Sequence, residues 1–223
     1  MAREHHLALN PHKTLFYRAV AGVLRVVSYL LFRPRVSGSS TIPEEGALLI
    51  APTHRSNLDF AFSLFLCRRK IFFMAKQSLF DVPVLGRALV ALGAFPVTRG
   101  AADRDAMKAS EEVLRAGHAL LMFPEGTRCE GPDILPLHDG AMFIAARAGA
   151  RVVPVGIAGS EIALAPGAKM VRPHRVDIVI GAPLEPPAGE PRPSRALVSA
   201  ATKELQSSLN EVFHEARTRN ARA

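Results

Sequence analysis

The chain has 223 residues, of which 48% are hydrophobic, and it carries a formal net charge of +8. This length and hydrophobic content are sufficient for the core of a single domain, whereas two distant cysteines argue against a disulfide framework or a zinc ribbon. The excess positive charge indicates an anionic partner, which is nucleic acid, a membrane surface or a phosphorylated substrate.

The first 35 residues hold six Lys or Arg residues against one Glu, interleaved with apolar side chains. Apolar residues recur at helical spacing over residues 13–32, but Arg18 and Arg25 interrupt them. A bilayer span needs about 20 mainly apolar residues, so the pattern favours an amphipathic helix in the membrane interface. A helix packed on the protein's own core is an alternative. Both can hold, with one face of the helix on the domain and the other on lipid.

These patterns predict a membrane-docking region, residues 1–35, and a single domain, residues 36–223. We expect an anionic phospholipid surface as partner, and not nucleic acid, because no recognition motif accompanies the charge. No secretory signal is expected. The unpaired cysteines favour a cytosol-facing location, which predicts peripheral or monotopic attachment to the cytoplasmic side of the cell membrane.

Beyond Pro34, short apolar runs alternate with helical patterns. Strands are predicted at residues 47–51, 71–75, 94–97, 119–123, 152–157 and 176–180. Helices are predicted from a cap at Ser56 or Asn57 to about residue 68, at 78–92, from Asp103 to Gly117, at 141–148 and at 196–218. The alternation predicts an α/β fold, a single layered domain with a largely parallel or mixed central sheet flanked by helices.

The polar segments 53–59, 98–99 and 125–128 each follow a predicted strand, which places one site at the carboxyl edge of the sheet. If His54 lies in the turn before a helix and Asp59 in its first turn, Asp59 can accept a hydrogen bond from Nδ1–H of His54. Nε2 is then free to remove a proton. Taken alone, the two residues fit an ordinary loop histidine and a helix-start aspartate better than a catalytic pair.

Cations follow three of the predicted strands, at Lys76, Arg99 and Arg128. Arg128 belongs to a strand-to-loop junction that also offers a flexible glycine, a hydroxyl and backbone N–H donors, a combination that suits phosphate. One such cation is usually plain surface charge. Three at equivalent strand ends indicate a phosphate pocket.

Four segments, taken in order, resemble the four motif blocks of the phospholipid/glycerol acyltransferase family, whose best-known members are the 1-acylglycerol-3-phosphate (lysophosphatidic acid) acyltransferases. They are His54-Arg55-Ser56-Asn57-Leu58-Asp59, Gly93-Ala94-Phe95-Pro96-Val97-Thr98-Arg99, Phe123-Pro124-Glu125-Gly126-Thr127-Arg128 and Val153-Pro154-Val155. The resemblance covers residues 35–185, and residues 74–86 also resemble bacterial members. Four blocks in the family's order are highly specific.

The resemblance implies an O-acyltransferase of phospholipid biosynthesis. The implied donor is acyl-CoA or acyl-carrier protein, and the implied acceptor is a glycerol-phosphate lipid, first of all 1-acylglycerol-3-phosphate. His54 would be the base and Asp59 its partner, with direct attack of the acceptor hydroxyl on the thioester. The residues implied in acceptor binding are Lys76, Arg99, Glu125, Gly126, Thr127 and Arg128. No metal and no cofactor are expected.

Two positions depart from the family pattern. Thr53 stands where members often have Asn, and residues 137–140 read Leu-His-Asp-Gly where members often carry Phe-Lys-x-Gly. Because His138 replaces that lysine, glycerol-3-phosphate and other lysolipids stay open as acceptors. Two further readings stay open: a hydrolase or thioesterase with Ser56 or Cys129 as nucleophile, and a non-catalytic lipid-binding protein.

Overall fold

Strands and helices alternate along the chain in a computed structural model that describes residues 11–38, 41–97, 104–168, 170–187 and 193–222. The strands are β1 (Arg35–Ser37), β2 (Leu48–Pro52), β3 (Ile71–Lys76), β4 (Ala94–Val97), β5 (Ala119–Leu121), β6 (Arg151–Ala158) and β7 (Asp177–Ile180). The helices are α1 (Pro11–Phe32), α2 (Asp59–Phe62), α3 (Pro83–Ala91), α4 (Arg104–Arg115), α5 (Gly140–Ala148), α6 (Ser160–Ala163) and α7 (Arg195–Ala221).

The strands form one sheet in the order β1-β7-β6-β2-β5-β3-β4. Its neighbours pair in parallel, except that β6 and β7 are antiparallel. The predicted α/β fold with a mixed central sheet is therefore confirmed. Strand β4 ends the sheet, a position that suits Pro96 because Pro cannot donate to a further strand.

Both faces of the sheet are covered, as β2 shows. Leu48 and Ile50 point to a core that includes Phe62, whereas Leu49 points to the opposite core with Leu114. All five residues of β2 are buried. A strand buried on both faces has a continuous apolar sequence rather than an alternating one.

Two predicted helices differ from the structure. The helix predicted from a Ser56 or Asn57 cap starts only at Asp59 and becomes a 3₁₀ turn at Ser63–Phe65. The Asp59 carboxylate accepts the N–H groups of Arg55 and Ser56, which holds the preceding residues in a turn. The helix predicted at 78–92 is a 3₁₀ turn followed by α3, which starts at Pro83 because proline suits the first helical position. The sequence did not predict β1 or α6, and the Asp103 cap lies outside the described residues.

Helix α1 has one face on the domain and one face exposed. Tyr17 and Ala21 of this helix pack with Leu64 in a small buried cluster. Arg25 donates to the carbonyls of Leu64 and Cys67. The outer face leaves large apolar side chains exposed, at Leu15, Val23, Val26, Val27, Tyr29, Leu30 and Leu31. Among the helices that the structure describes, none has the length and hydropathy of a membrane span.

Helix α7 packs across β6 and β7 on the other side of the sheet. Contact with β6 is close at Gly156, where an added Cβ would overlap the backbone of Val212 and Phe213. Phe213 and Leu209 of α7 are buried. The C-terminal helix is therefore an integral part of the domain and lies against the strand next to β2.

Candidate active site

The topology brings the predicted polar segments to one edge of the sheet. Strands β2, β5 and β3 are parallel neighbours, so the segments that follow them leave the sheet at the same edge. These segments carry His54 after β2, Glu125 after β5 and Lys76 at the last position of β3.

His54 and Asp59 form the hydrogen bond that their spacing predicts, with 3.0 Å between Nδ1 and Oδ2. His54 lies in the turn before α2, and Asp59 is the first residue of that helix. The Asp59 side chain is fully buried, whereas 12% of the His54 side chain is exposed. With Nδ1 bonded to the carboxylate, Nε2 is the nitrogen that can accept a proton from a substrate.

The same carboxylate oxygen organises the turn between the two residues. Oδ2 of Asp59 accepts the backbone N–H of Arg55 at 2.6 Å and that of Ser56 at 2.8 Å. The other oxygen, Oδ1, is buried and has no partner within the described part of the chain. Three donors on one oxygen fix the carboxylate, and through it the orientation of the His54 ring.

The opposite side of the His54 ring is held by Phe123. The two rings are stacked, with centroids 3.8 Å apart and planes 18° from parallel. Phe123 is the first residue of the third motif and lies just beyond β5, separated from it by Met122. This contact is not predicted by the sequence pattern, since a Phe at a strand end is usually a core residue.

Glu125 is buried, at 1% exposure, and both of its oxygens accept backbone N–H groups. Oε1 accepts from His54 at 2.8 Å, and Oε2 accepts from Leu135 at 2.9 Å. In this arrangement Glu125 connects the third motif to the turn that carries His54. Its predicted contact with substrate stays a prediction, while its contact with the His54 backbone is observed.

The rest of the third motif is open to solvent. Gly126 and Thr127 are exposed and Arg128 is half-buried. Gly126 has φ of +69°, a conformation that favours glycine, and an added Cβ would lie 2.9 Å from Cδ2 of His138. His138, which replaces the family's lysine, therefore lies against the turn that is predicted to bind phosphate.

The two remaining predicted cations are Lys76 and Arg99. Lys76 is exposed at the end of β3, on the sheet edge that carries His54. Arg99 and its neighbour Thr98 lie outside the described residues. In the part of the chain that the structure covers, no group of three or more His, Cys, Asp or Glu residues could hold a metal ion.

The residues of the rival hydrolase reading are engaged elsewhere. Ser56 is fully buried, and its hydroxyl donates to the Leu164 carbonyl at 2.7 Å and accepts the Leu58 N–H at 3.2 Å. Cys129 is buried, with its thiol near the carbonyls of Glu130 and Asp133. A hydrogen bond to an imidazole activates such a nucleophile. Among the hydrogen bonds of the described residues, neither group makes one.

The family model of the acyltransferases matches residues 33–158, more than half of the chain. The 1-acyl-sn-glycerol-3-phosphate acyltransferase of Bacillus subtilis (strain 168) is 27% identical over 197 residues, covering 88% of this chain and 96% of that protein. The chloroplastic enzyme LPAT1 of Arabidopsis thaliana is 26% identical over 183 residues, 80% of this chain. The chain spans about half (51%) of that relative's length.

A solved structure has the same fold. The crystal structure of the 1-acyl-sn-glycerophosphate (LPA) acyltransferase PlsC from Thermotoga maritima gives a TM-score of 0.74 at 23% identity. The match covers 94% of this chain and 85% of that chain. The predicted family is confirmed, and with it the prediction of an O-acyltransferase: the chain belongs to the acyltransferase family.

Proposed function

We propose that the protein transfers a fatty acyl group from an acyl thioester to the free hydroxyl of 1-acylglycerol-3-phosphate, which yields phosphatidic acid for phospholipid biosynthesis. The observation that carries the proposal is the His54–Asp59 hydrogen bond, on the sheet edge where the loop with Arg128 also lies. A base beside a cationic loop suits an acceptor with both a hydroxyl and a phosphate. The names of the B. subtilis and A. thaliana relatives support this acceptor.

In the proposed reaction, Nε2 of His54 takes the proton of the acceptor hydroxyl as its oxygen attacks the thioester carbonyl. The tetrahedral intermediate collapses with cleavage of the C–S bond, and the imidazolium returns the proton to the thiolate. Asp59 holds the imidazole and stabilises its charged form. The acyl group passes directly to the acceptor, since a thiolate leaves readily and no acyl-enzyme is needed.

The oxyanion of that intermediate needs hydrogen-bond donors. The N–H groups of His54, Arg55 and Ser56 already donate to carboxylates. We therefore assign the oxyanion to the N–H groups of the exposed turn at Thr127 and Arg128.

The acceptor phosphate is assigned to the same turn, with Arg128 as its main cation. Arg128 can pair with two phosphate oxygens, and Lys76 adds a point charge on the same sheet edge. Arg99 belongs to this set by its motif. Glu125 supports the site through the His54 backbone, and its contact with the acceptor stays a prediction.

The acyl chain is proposed to leave along an apolar hollow beside the turn of His54. The hollow has a volume of about 30 Å³, so it must widen to hold the chain. It lies between α1, α2 and β3 and is lined by Tyr17, Leu24, Phe60, Leu64 and Phe73, among others. Phe60 directly follows Asp59 and stacks on Phe73. The location lets an acyl chain leave the reacting thioester on the side of α1.

Helix α1 is the proposed membrane-docking element, within the region of residues 1–35 that precedes the domain of residues 36–223. Its exposed apolar face, with Leu30 at 71% and Val23 at 63% exposure, fits an interfacial helix. Helix α3 contacts α1 and adds the exposed Val84. We propose peripheral or monotopic attachment to an anionic phospholipid surface on the cytoplasmic side.

The proposal is tested with purified protein, labelled acyl-CoA or acyl-carrier protein, and a panel of acceptors. The panel contains 1-acylglycerol-3-phosphate, glycerol-3-phosphate, uncharged lysolipids and water alone. We expect labelled phosphatidic acid as the main product, with free thiol released in equal amount. Thiol release without an acceptor would instead indicate a thioesterase, and acceptor binding without thiol release would indicate a lipid-binding protein.

A further inference from the structure

Arg55 is the largest side chain buried in the catalytic turn, with 1% exposure. A buried guanidinium is costly unless it is paired. Nη1 donates to the carbonyls of Cys129 and Gly131, and Nη2 donates to that of Asp133 at 2.8 Å. The plane of the guanidinium lies over the Phe213 ring, 4.3 Å from its centroid, a favourable cation–π geometry.

Helix α7 holds the segment that Arg55 binds. Gln206 accepts the N–H of Leu137 at 2.9 Å and donates to the carbonyl of Leu135. Arg217 donates to the carbonyl of Pro132 at 2.8 Å. Together with Phe213, these side chains fasten residues 129–137 to the C-terminal helix from one side, while Arg55 fastens them from the other.

The same segment is bonded to the backbone of His54. The N–H of Cys129 donates to the carbonyl of His54 at 2.9 Å, and Glu125 accepts the N–H of His54. Nη2 of Arg55 lies 4.0 Å from Oε2 of Glu125. A shift of the Arg55 side chain would therefore disturb both groups that hold the His54 backbone.

We propose that Arg55 is a positioning residue, which couples α7 and residues 129–137 to the orientation of the His54–Asp59 pair. The inference rests on the proposed function for its kinetic consequences. Catalysis of acyl transfer needs the base within a few tenths of an ångström of its working position. Helix α7 thus completes the catalytic site through one buried side chain and not merely by covering the sheet.

Arg69 offers a matched control. Its guanidinium also donates to three carbonyls, those of Pro43, Gly46 and Gly117, which precede β2 and β5 and so lie at the opposite edge of the sheet. Lysine keeps the charge but loses the planar fork of donors. Arg55→Lys and Arg69→Lys therefore remove comparable bonds near to and far from His54.

We expect both variants to lower the melting temperature, and only Arg55→Lys to lower kcat, by about ten- to a hundredfold. KM for donor and acceptor should change little, because Arg55 has no contact with the open part of the site. The assay runs well below both melting temperatures. Phe213→Leu, which keeps apolar volume and removes the π face, should give a smaller loss of kcat in a more stable protein. Wild-type kcat in Arg55→Lys, or equal losses in both lysine variants, would overturn the proposal.

A readout without substrate separates this inference from the proposed function. The NMR signal of the His54 imidazole, assigned with His54→Ala, should shift in Arg55→Lys and stay unchanged in Arg69→Lys. An unchanged signal in Arg55→Lys would overturn the positioning role. A wild-type protein that acylates no acceptor would contradict the proposed function alone, and the NMR comparison would then decide the role of Arg55.

Discussion

Nδ1 of His54 lies 3.0 Å from Oδ2 of Asp59, and the same oxygen accepts the N–H groups of the next two residues. One carboxylate oxygen thus sets both the path of the catalytic turn and the tautomer of the imidazole. Two residues that would diverge on a continuous helix are brought together because the helix begins only at Asp59.

Asp59→Asn should lower kcat by about 10²- to 10⁴-fold. The Asn oxygen can take the place of Oδ2 and still accept from Nδ1 of His54 and from the N–H of Arg55. The side chain is then neutral and no longer stabilises the imidazolium that forms during transfer, and its NH₂ group is buried where Oδ1 has no partner. Steady-state kinetics check the rate, and circular dichroism checks that the variant is folded. A variant with unchanged kcat would show that the hydrogen bond has no catalytic role.

Gly126→Ala should raise KM for the phosphate acceptor and also lower kcat, because the same turn is proposed to bind the phosphate and the oxyanion. The added Cβ meets the His138 ring, and φ of +69° costs a residue with a Cβ about 1–2 kcal/mol. The double variant Gly126→Ala/His138→Ala removes the overlap and leaves the backbone strain. The Gly126→Ala change should therefore raise KM less in the His138→Ala background than in the wild-type background. Equal KM values in Gly126→Ala and wild type would place the phosphate elsewhere.

Replacing Val23 and Leu30 together by Ser should weaken binding to vesicles of anionic phospholipid. Both side chains lie on the exposed face of α1, and each buried CH₂ that is lost costs about 0.8 kcal/mol of membrane affinity. The matched control is Leu197→Ser, since Leu197 is an exposed apolar residue of α7. Co-sedimentation measures the binding. If the control loses as much affinity as the α1 variant, α1 is not the docking face.

Much of the fold follows from local patterns, whereas long-range pairing does not. Leu48, Leu49 and Ile50 predict a buried strand because apolar residues without alternation suit a sheet covered on both faces. The three residues of β1 form too short a pattern to predict a strand. Their pairing with β7 joins residues 142 positions apart, as with Arg35 and Asp177.

The candidate site shows the same division. His54 and Asp59 were predicted from spacing, because a turn and the first residue of a helix are local features. The buried surroundings of Arg55 and Glu125 are not predicted from the sequence. Charged residues in a polar motif are normally expected to be exposed or to bind substrate. Their burial depends on α7 and on residues 129–137, whose approach only the tertiary structure defines.

Asp177 predicts a pH dependence of stability. Burial by itself raises its pKa, but hydrogen bonds from Asn220, Arg35 and Arg175 outweigh burial and hold the pKa below the usual 3.8. A depressed folded pKa adds stability above the unfolded value of about 3.9, and that stability is lost as the pH falls through the folded pKa.

Asp177→Asn should therefore lower the free energy of unfolding by about 1–3 kcal/mol at neutral pH. The difference from wild type should shrink as the pH falls below about 4. Urea denaturation across this range measures it. A difference that stays constant down to the acid limit would mean that the charge of Asp177 contributes nothing.

The central claim is that His54 is the base of direct acyl transfer, and single-turnover transfer from labelled acyl-CoA to 1-acylglycerol-3-phosphate tests it most directly. Compared with wild type, His54→Ala should bind acceptor normally, transfer the acyl group about 10²- to 10⁴-fold more slowly, and release thiol no faster than it forms product. Transfer by His54→Ala at the wild-type rate, or labelled acyl-enzyme on wild-type protein before product appears, would contradict the account.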